Sequence, residues 1–191
     1  MTKGRLEAFS DGVLAIIITI MVLELKVPHE PTFEALTPLW PVFLSYVLSF
    51  VMVGIYWNNH HHLLHSIKRV DGRSLWANLH LLFWLSLMPF VTAWMGETGF
   101  KGWPIFAYGV VLFMAAIAYS ILVRALLATH DADSVIARAI GRDFKGWLSV
   151  GIYVAAMALA LLWPPVALAL YMAVAVIWLV PDRRIEKRLA D

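Results

Sequence analysis

The chain has 191 residues, 61% of them hydrophobic and 15% charged, with a net charge of +2 and no cysteine. A soluble domain carries roughly a quarter charged residues, and one of this length has too little interior to hide so much apolar surface. Disulfides and thiolate metal sites are excluded, and the basic residues gather between hydrophobic runs instead of along one face, which argues for a membrane topology and against nucleic acid as a partner.

Crossing the hydrocarbon takes ~20 apolar residues in a helix, and six runs predict an all-α, polytopic membrane protein with six transmembrane helices. Lys3 and Arg5 precede the first run, Leu6 to Leu25. Glu7 and Asp11 interrupt its start and no small-residue cleavage site follows, so it reads as a retained helix and not a signal peptide. The second run extends from Leu39 to Leu64, the third from Leu75 to Met95 and the fourth from Trp103 to Leu127. The polar stretch from Ala128 to Gly146 has room for a short amphipathic helix but not for a soluble domain, so residues 1–191 read as one membrane unit. The last two runs, Trp147 to Trp163 and Val166 to Val180, are shorter and flank Pro164 and Pro165. Their fixed φ and missing donors turn the pair into a hairpin instead of one long helix.

Lys and Arg are retained on the cytoplasmic side. Lys3, Arg5, Lys68, Arg69, Arg73, Arg138, Arg142, Lys145, Arg183, Arg184, Lys187 and Arg188 fall on one side of the six runs. Lys26 and Lys101 fall on the other, and Arg124 lies near the basic end of the fourth run, where it can snorkel. Both termini are therefore expected in the cytoplasm. Trp40, Trp94, Trp103, Trp147, Trp163 and Trp178 sit near run ends, where the indole prefers the interface.

Ionisable or polar groups inside a span need a partner or a watery cavity. Ser10 and Asp11 on the first helix, Asn58, Asn59, His60, His61, His62 and His65 on the second, and Asn78 and His80 on the third share one depth near the basic end. Arg5, Asp71 and Arg73 lie at headgroup level. This predicts a hydrogen-bonded knot tying the three helices together. His61 and His65 at i, i+4, and His62 and His65 at i, i+3, also have the spacing of some zinc sites. No accompanying glutamate completes a metalloprotease pattern, and satisfied interhelical histidines are the leading reading over metal ligation or pH sensing.

On the first helix, Gly12, Ile16, Thr19 and Leu23 fall within about 60° of one another at ~100° per residue and form one stripe. Asp11 lies roughly 80° off it and Ser10 nearly opposite. The stripe pattern alone favours packing against another helix, with Thr19 bonding its own i−4 carbonyl.

The segment Arg5-Leu6-Glu7-Ala8-Phe9-Ser10-Asp11-Gly12-Val13-Leu14-Ala15-Ile16 resembles the signature of the transmembrane protein 175 family of endolysosomal potassium channels, with Arg followed by Phe-Ser-Asp as its hallmark. Tyr56-Trp57-Asn58-Asn59-His60-His61 and Leu75-Trp76-Ala77-Asn78-Leu79, with Met88-Pro89-Phe90 beyond it, are similar to further family segments in the second and third helices. The resemblance implies a potassium-preferring cation channel, not an enzyme. It implies a bacterial single-unit homotetramer in which the first helix lines a central pore, with the potassium ion as the permeant species and no cofactor. Ile16 then forms the narrowest ring, where the family often has Leu, with Thr19 and Leu23 outward of it, and Phe9 joins the polar knot residues behind. The chain lacks the Thr-Val-Gly-Tyr-Gly loop of ordinary potassium filters and an arginine-rich voltage-sensing helix. A bacterial inner membrane fits this reading. Two other classes stay open: a membrane-embedded metal-dependent enzyme built on His61, His62, His65 and Asp11, and a secondary transporter, which the lack of an inverted repeat disfavours.

Overall fold

The computed structural model describes residues 2–67, 69–129 and 144–179. Lys68, Arg138, Arg142, Arg183, Arg184, Lys187 and Arg188 lie outside them, as do Val180 and all but the ends of the Ala128 to Gly146 stretch. The regular elements among the described residues are all helical: α1 (Lys3–Leu23), a 3-10 turn (Glu34–Leu39), α2 (Trp40–His65), α3 (Gly72–Ser86), α4 (Met88–Glu97), α5 (Gly102–Leu127), α6 (Phe144–Ala160) and α7 (Pro164–Leu179).

Prolines mark the starts. Pro41 opens α2, Pro89 opens α4 and Pro164 opens α7, positions where the missing N–H has no intrahelical partner to lose. Asp71 caps α3 by accepting from the Ser74 amide at 2.8 Å and the Ser74 hydroxyl at 2.7 Å. Those two donors hold the Asp71 carboxyl below its ordinary range. The third run is not one helix but two, α3 and α4, divided at Leu87. Pro89 cannot donate to the carbonyl one turn before it, and the chain steps there. After α4, Gly99 and Phe100 both take positive φ, near 62° and 63°. The Phe100 amide then bonds Met95 O at 3.0 Å, closing the helix end.

Successive runs alternate in direction, α3 and α4 counting as one. Asn78 near the start of α3 bonds both Ser10 near the start of α1 and His60 near the end of α2, and Gly102 at the start of α5 meets Ala160 at the end of α6. Helix α1, the 3-10 turn with α2, α3 with α4, and α5 are each long and apolar enough to cross a bilayer. Helices α6 and α7, with 17 and 16 residues, are shorter apolar helices. This is a multi-pass membrane protein of all-α architecture.

Helix α5 lies at the centre, packed on α3, α4 and α6, with Tyr108, Leu112, Ala115, Ala118 and Leu122 wholly buried. Small residues set the spacing, as they do where helices associate in lipid. A Cβ on Gly96 would lie 2.7 Å from the Val42 Cα, and one on Gly109 would overlap the Tyr171 hydroxyl. The apolar surface left outside is large. Phe43, Phe50, Trp76, Phe83 and Phe90 are all exposed, a patchwork that water does not tolerate on a soluble monomer. Trp40, Trp94, Trp103, Trp147 and Trp163 stand exposed near helix ends. Trp178 departs from that pattern: its indole turns inward and donates to Ser149 Oγ at 2.8 Å.

Candidate functional site

Helix α1 has two opposed faces. Leu6, Ser10, Leu14, Ile17 and Met21 are buried against the bundle. Gly12, Ala15, Ile16, Thr19 and Leu23 are exposed, Ile16 at 59% and Leu23 at 80%. The Gly12, Ile16, Thr19 and Leu23 stripe is therefore left uncovered by its own chain. Apart from its own stretch of helix, nothing among the described residues comes within 4 Å of a Cβ placed on Gly12. The Thr19 hydroxyl bonds the Ile16 carbonyl, at i−3 and 2.9 Å, and not the i−4 carbonyl anticipated. That bond leaves the Thr19 oxygen with lone-pair capacity facing outward.

Behind this face the structure brings Ser10, Asn78 and His60 together. Asn78 Nδ2 donates to Ser10 Oγ at 3.0 Å, and Ser10 donates to Leu6 O at 2.9 Å. Asn78 Oδ1 lies 2.7 Å from His60 Nε2. Because the Asn78 amide nitrogen already donates to Ser10, its oxygen must accept, so His60 carries its proton on Nε2. All three side chains are buried, and the chain of bonds joins α1, α3 and α2. A second, more exposed layer lies beside it. Trp57 Nε1 donates to Asp11 Oδ1 at 3.1 Å, His61 Nδ1 is 3.4 Å from Glu7 Oε1, and Lys3 Nζ donates to His65 O at 3.2 Å.

Other expected members stay out of the buried knot. Arg5 is exposed and forms no ion pair among the described residues. Phe9 is 49% exposed and contributes no polar contact to the knot. His80 accepts from Trp84 Nε1 at 3.0 Å, one turn along its own helix, instead of reaching α1. Asn58 is half-buried, and its neighbour Asn59 turns back to bond Ile55 O at 2.9 Å. His61 stacks on His65 with ring centroids 5.9 Å apart and planes inclined by 20°, and His62 meets His61 edge-on. Stacked rings present faces, not lone pairs, to one another. Among the described residues no group of three His, Asp or Glu side chains is arranged to hold a metal ion.

Sequence reasoning missed Trp57 and Glu7 as partners of Asp11 and His61, and it missed Ser49, Thr92 and Tyr108, which form a separate buried hydroxyl cluster. The latter left only a faint signal, as single hydroxyls within apolar runs.

Residues 5–89 match the family described as the endosomal/lysosomal potassium channel TMEM175. A protein named as a potassium channel from Chryseobacterium sp. (strain P1-3) is 54% identical over 191 residues, covering 100% of both chains. Another so named, from Streptomyces collinus, is 41% identical over 99 residues, 50% of this chain and 48% of its own. Among solved structures, the crystal structure of a lysosomal potassium-selective channel TMEM175 homolog from Chamaesiphon minutus superimposes with a TM-score of 0.78 at 29% identity, covering 93% of this chain and 96% of that one. With the Phe-Ser-Asp segment on α1, the Ser10, His60 and Asn78 junction behind it and identity along the full length of a relative, the chain belongs to the TMEM175 family.

Proposed function

We propose that this protein is the subunit of a potassium-selective cation channel, a homotetramer in which α1 lines the conduction path. The observation that carries the reading is the uncovered α1 stripe: an apolar helix face with one hydroxyl about a turn short of its outer end, opposite a face fixed firmly into the bundle. One such face cannot enclose a path, and rotationally related copies complete the ring. Full-length likeness to a protein named as a potassium channel supports the assignment of the ion. In this reading the whole chain acts as one channel unit and not as an enzyme, needs no cofactor beyond the permeant ion, and sits in a bacterial inner membrane with both termini cytoplasmic.

The chemistry follows from the side chains. A ring of Ile16 groups narrows the path and makes ions shed water, a barrier that also closes by dewetting when the ring tightens. A ring of Thr19 oxygens, one turn on, replaces part of the lost hydration. Selectivity then rests on the balance between the two, without a backbone-carbonyl filter. The stacked histidines and Asp11 are supports at the basic end, and neither a metal-dependent reaction nor coupled transport draws on them.

Potassium flux into liposomes from purified protein is the direct test, with Ile16→Asn as the informative variant. The expected result is higher conductance and a weaker potassium preference, because an amide lowers the dehydration barrier. Thr19→Val, which removes only the hydroxyl, is expected to reduce potassium preference while leaving the oligomer intact. Unchanged permeation in both variants, in normally assembled protein, rejects α1 as the lining.

A further inference from the structure

A second polar junction holds the other end of α1. Ser49 on α2, Thr92 on α4 and Tyr108 on α5 are all buried, with Thr92 Oγ1 2.6 Å from Ser49 Oγ and Ser49 donating to the Tyr108 hydroxyl at 3.1 Å. Thr92 Oγ1 also meets Met21 Sδ, on α1, at 3.9 Å. Thr92 has one proton for the serine oxygen and the sulfur, so those two contacts share it. Four helices converge on this point, and Met21 is 2% exposed.

The place of Met21 on α1 gives the junction its leverage. At ~100° per residue it lies on the opposite side of the helix from both Thr19 and Leu23. Any displacement at Met21 is therefore carried straight across the helix to the exposed stripe. The two fixings of α1 also belong to different bodies: Asn78 lies on α3 and Thr92 on α4, and the chain is broken between them at Leu87. A tilt of α4 against α3 moves one end of α1 and leaves the other held.

We infer that Thr92, with Ser49 and Tyr108 behind it, is a positioning residue for the permeation path, setting the radial place of Thr19 and Leu23 through Met21. The inference rests on the pore reading above. In a symmetric assembly every copy shifts together, so a small radial change in one helix becomes a change in ring diameter twice as large.

Thr92→Val keeps the branched shape and removes the hydroxyl. It orphans no donor, because Ser49 still has the Tyr108 oxygen to donate to. The expected result is a change of about twofold or more in the potassium-over-sodium permeability ratio, the size that remote substitutions in coupled networks produce, with Thr92→Ser restoring the parent value. A purely structural role predicts a lowered melting midpoint and an unaltered ratio, and that result overturns the inference. Ile16→Asn and Thr19→Val, measured alongside, separate the two claims: if either changes permeation and Thr92→Val does not, only the positioning role fails, and if both are silent in normally assembled protein the pore reading fails. Because the chain has no cysteine, a spin label on Glu24→Cys reads the end of α1 without reference to conduction. Thr92→Val is expected to broaden its distance distribution between copies, and an unchanged distribution counts against the inference whatever the flux. Should Thr92→Val fail to fold, Met21→Leu removes the sulfur, keeps the bulk and is read in the same two ways.

Discussion

Asn78 spends both ends of its amide on different helices, donating to Ser10 on α1 and accepting from His60 on α2. Asn78→Leu keeps the volume and strands the His60 N–H in a buried site, at a cost of about 1–3 kcal/mol. The expected outcome is a lower thermal midpoint of the purified protein and less oligomer, with the permeability ratio of what assembles unchanged. Arg5→Ala, by contrast, removes an exposed side chain with no ion pair among the described residues, so the protomer's stability should hold. If Arg5→Ala proves as damaging as Asn78→Leu, Arg5 is held by another copy and not by its own chain. The residues of the knot were legible because polar groups inside an apolar run stand out and need partners at their own depth. Their pairing was not, because depth leaves the azimuth around each helix free: His80 shares the level of Asn78 yet bonds Trp84 along its own helix. Ser49 and Thr92 escaped notice for a different reason. A hydroxyl in a helix satisfies itself on a carbonyl one turn back, as Ser45 does with Pro41 O, so its presence in a span demands no explanation.

At the scale of elements, hydrophobic run length located the four long spans and both shorter apolar helices, and proline marks the starts of α2 and α7. The division of the third run at Leu87 was within reach, since Pro89 lies inside it, but a proline in a transmembrane helix produces a kink or a full break according to what neighbouring helices offer the freed carbonyls. Glycines illustrate the same dependence on neighbours. Gly96 on α4 faces the α2 backbone, with Val42 Cα 2.7 Å from a Cβ built there, while one built on Gly151 of α6 meets nothing within 4 Å among the described residues beyond its own stretch of helix. Backbone cannot step aside as a flexible side chain can. Gly96→Ala is expected to force α2 and α4 apart at a cost of about 1–3 kcal/mol. Gly151→Ala is expected to be neutral or to stabilise, by at most the ~1 kcal/mol that separates the two residues in a helix interior. Thermal unfolding of the two variants in the same detergent checks both, and equal midpoints would mean that α2 and α4 do not pack so closely.

The whole molecule poses the question of which exposed apolar face meets lipid, which meets another copy and which meets water. Hydropathy gives one answer for all three, since Ile16 and Leu23 on α1 are as apolar as Phe83 on α3 and comparably uncovered at 59%, 80% and 55%. The pore proposal assigns them different surroundings. A cysteine separates the cases, because only a thiolate reacts with charged thiol reagents and a thiol ionises only where water reaches it. The parent chain has no cysteine to confuse the reading. Leu23→Cys, one turn outward of Thr19, is expected to react quickly with a cationic thiosulfonate, and the bound charge should cut potassium flux, since it stands in the path of the ion. Ile16→Cys is expected to react more slowly, at the narrowest point, and to be protected by dewetting when the path is closed. Phe83→Cys is expected to stay unmodified in a bilayer, whether lipid or a second copy covers it. Rapid modification of Phe83→Cys together with an inert Leu23→Cys would place water on α3 and remove α1 from the conduction path.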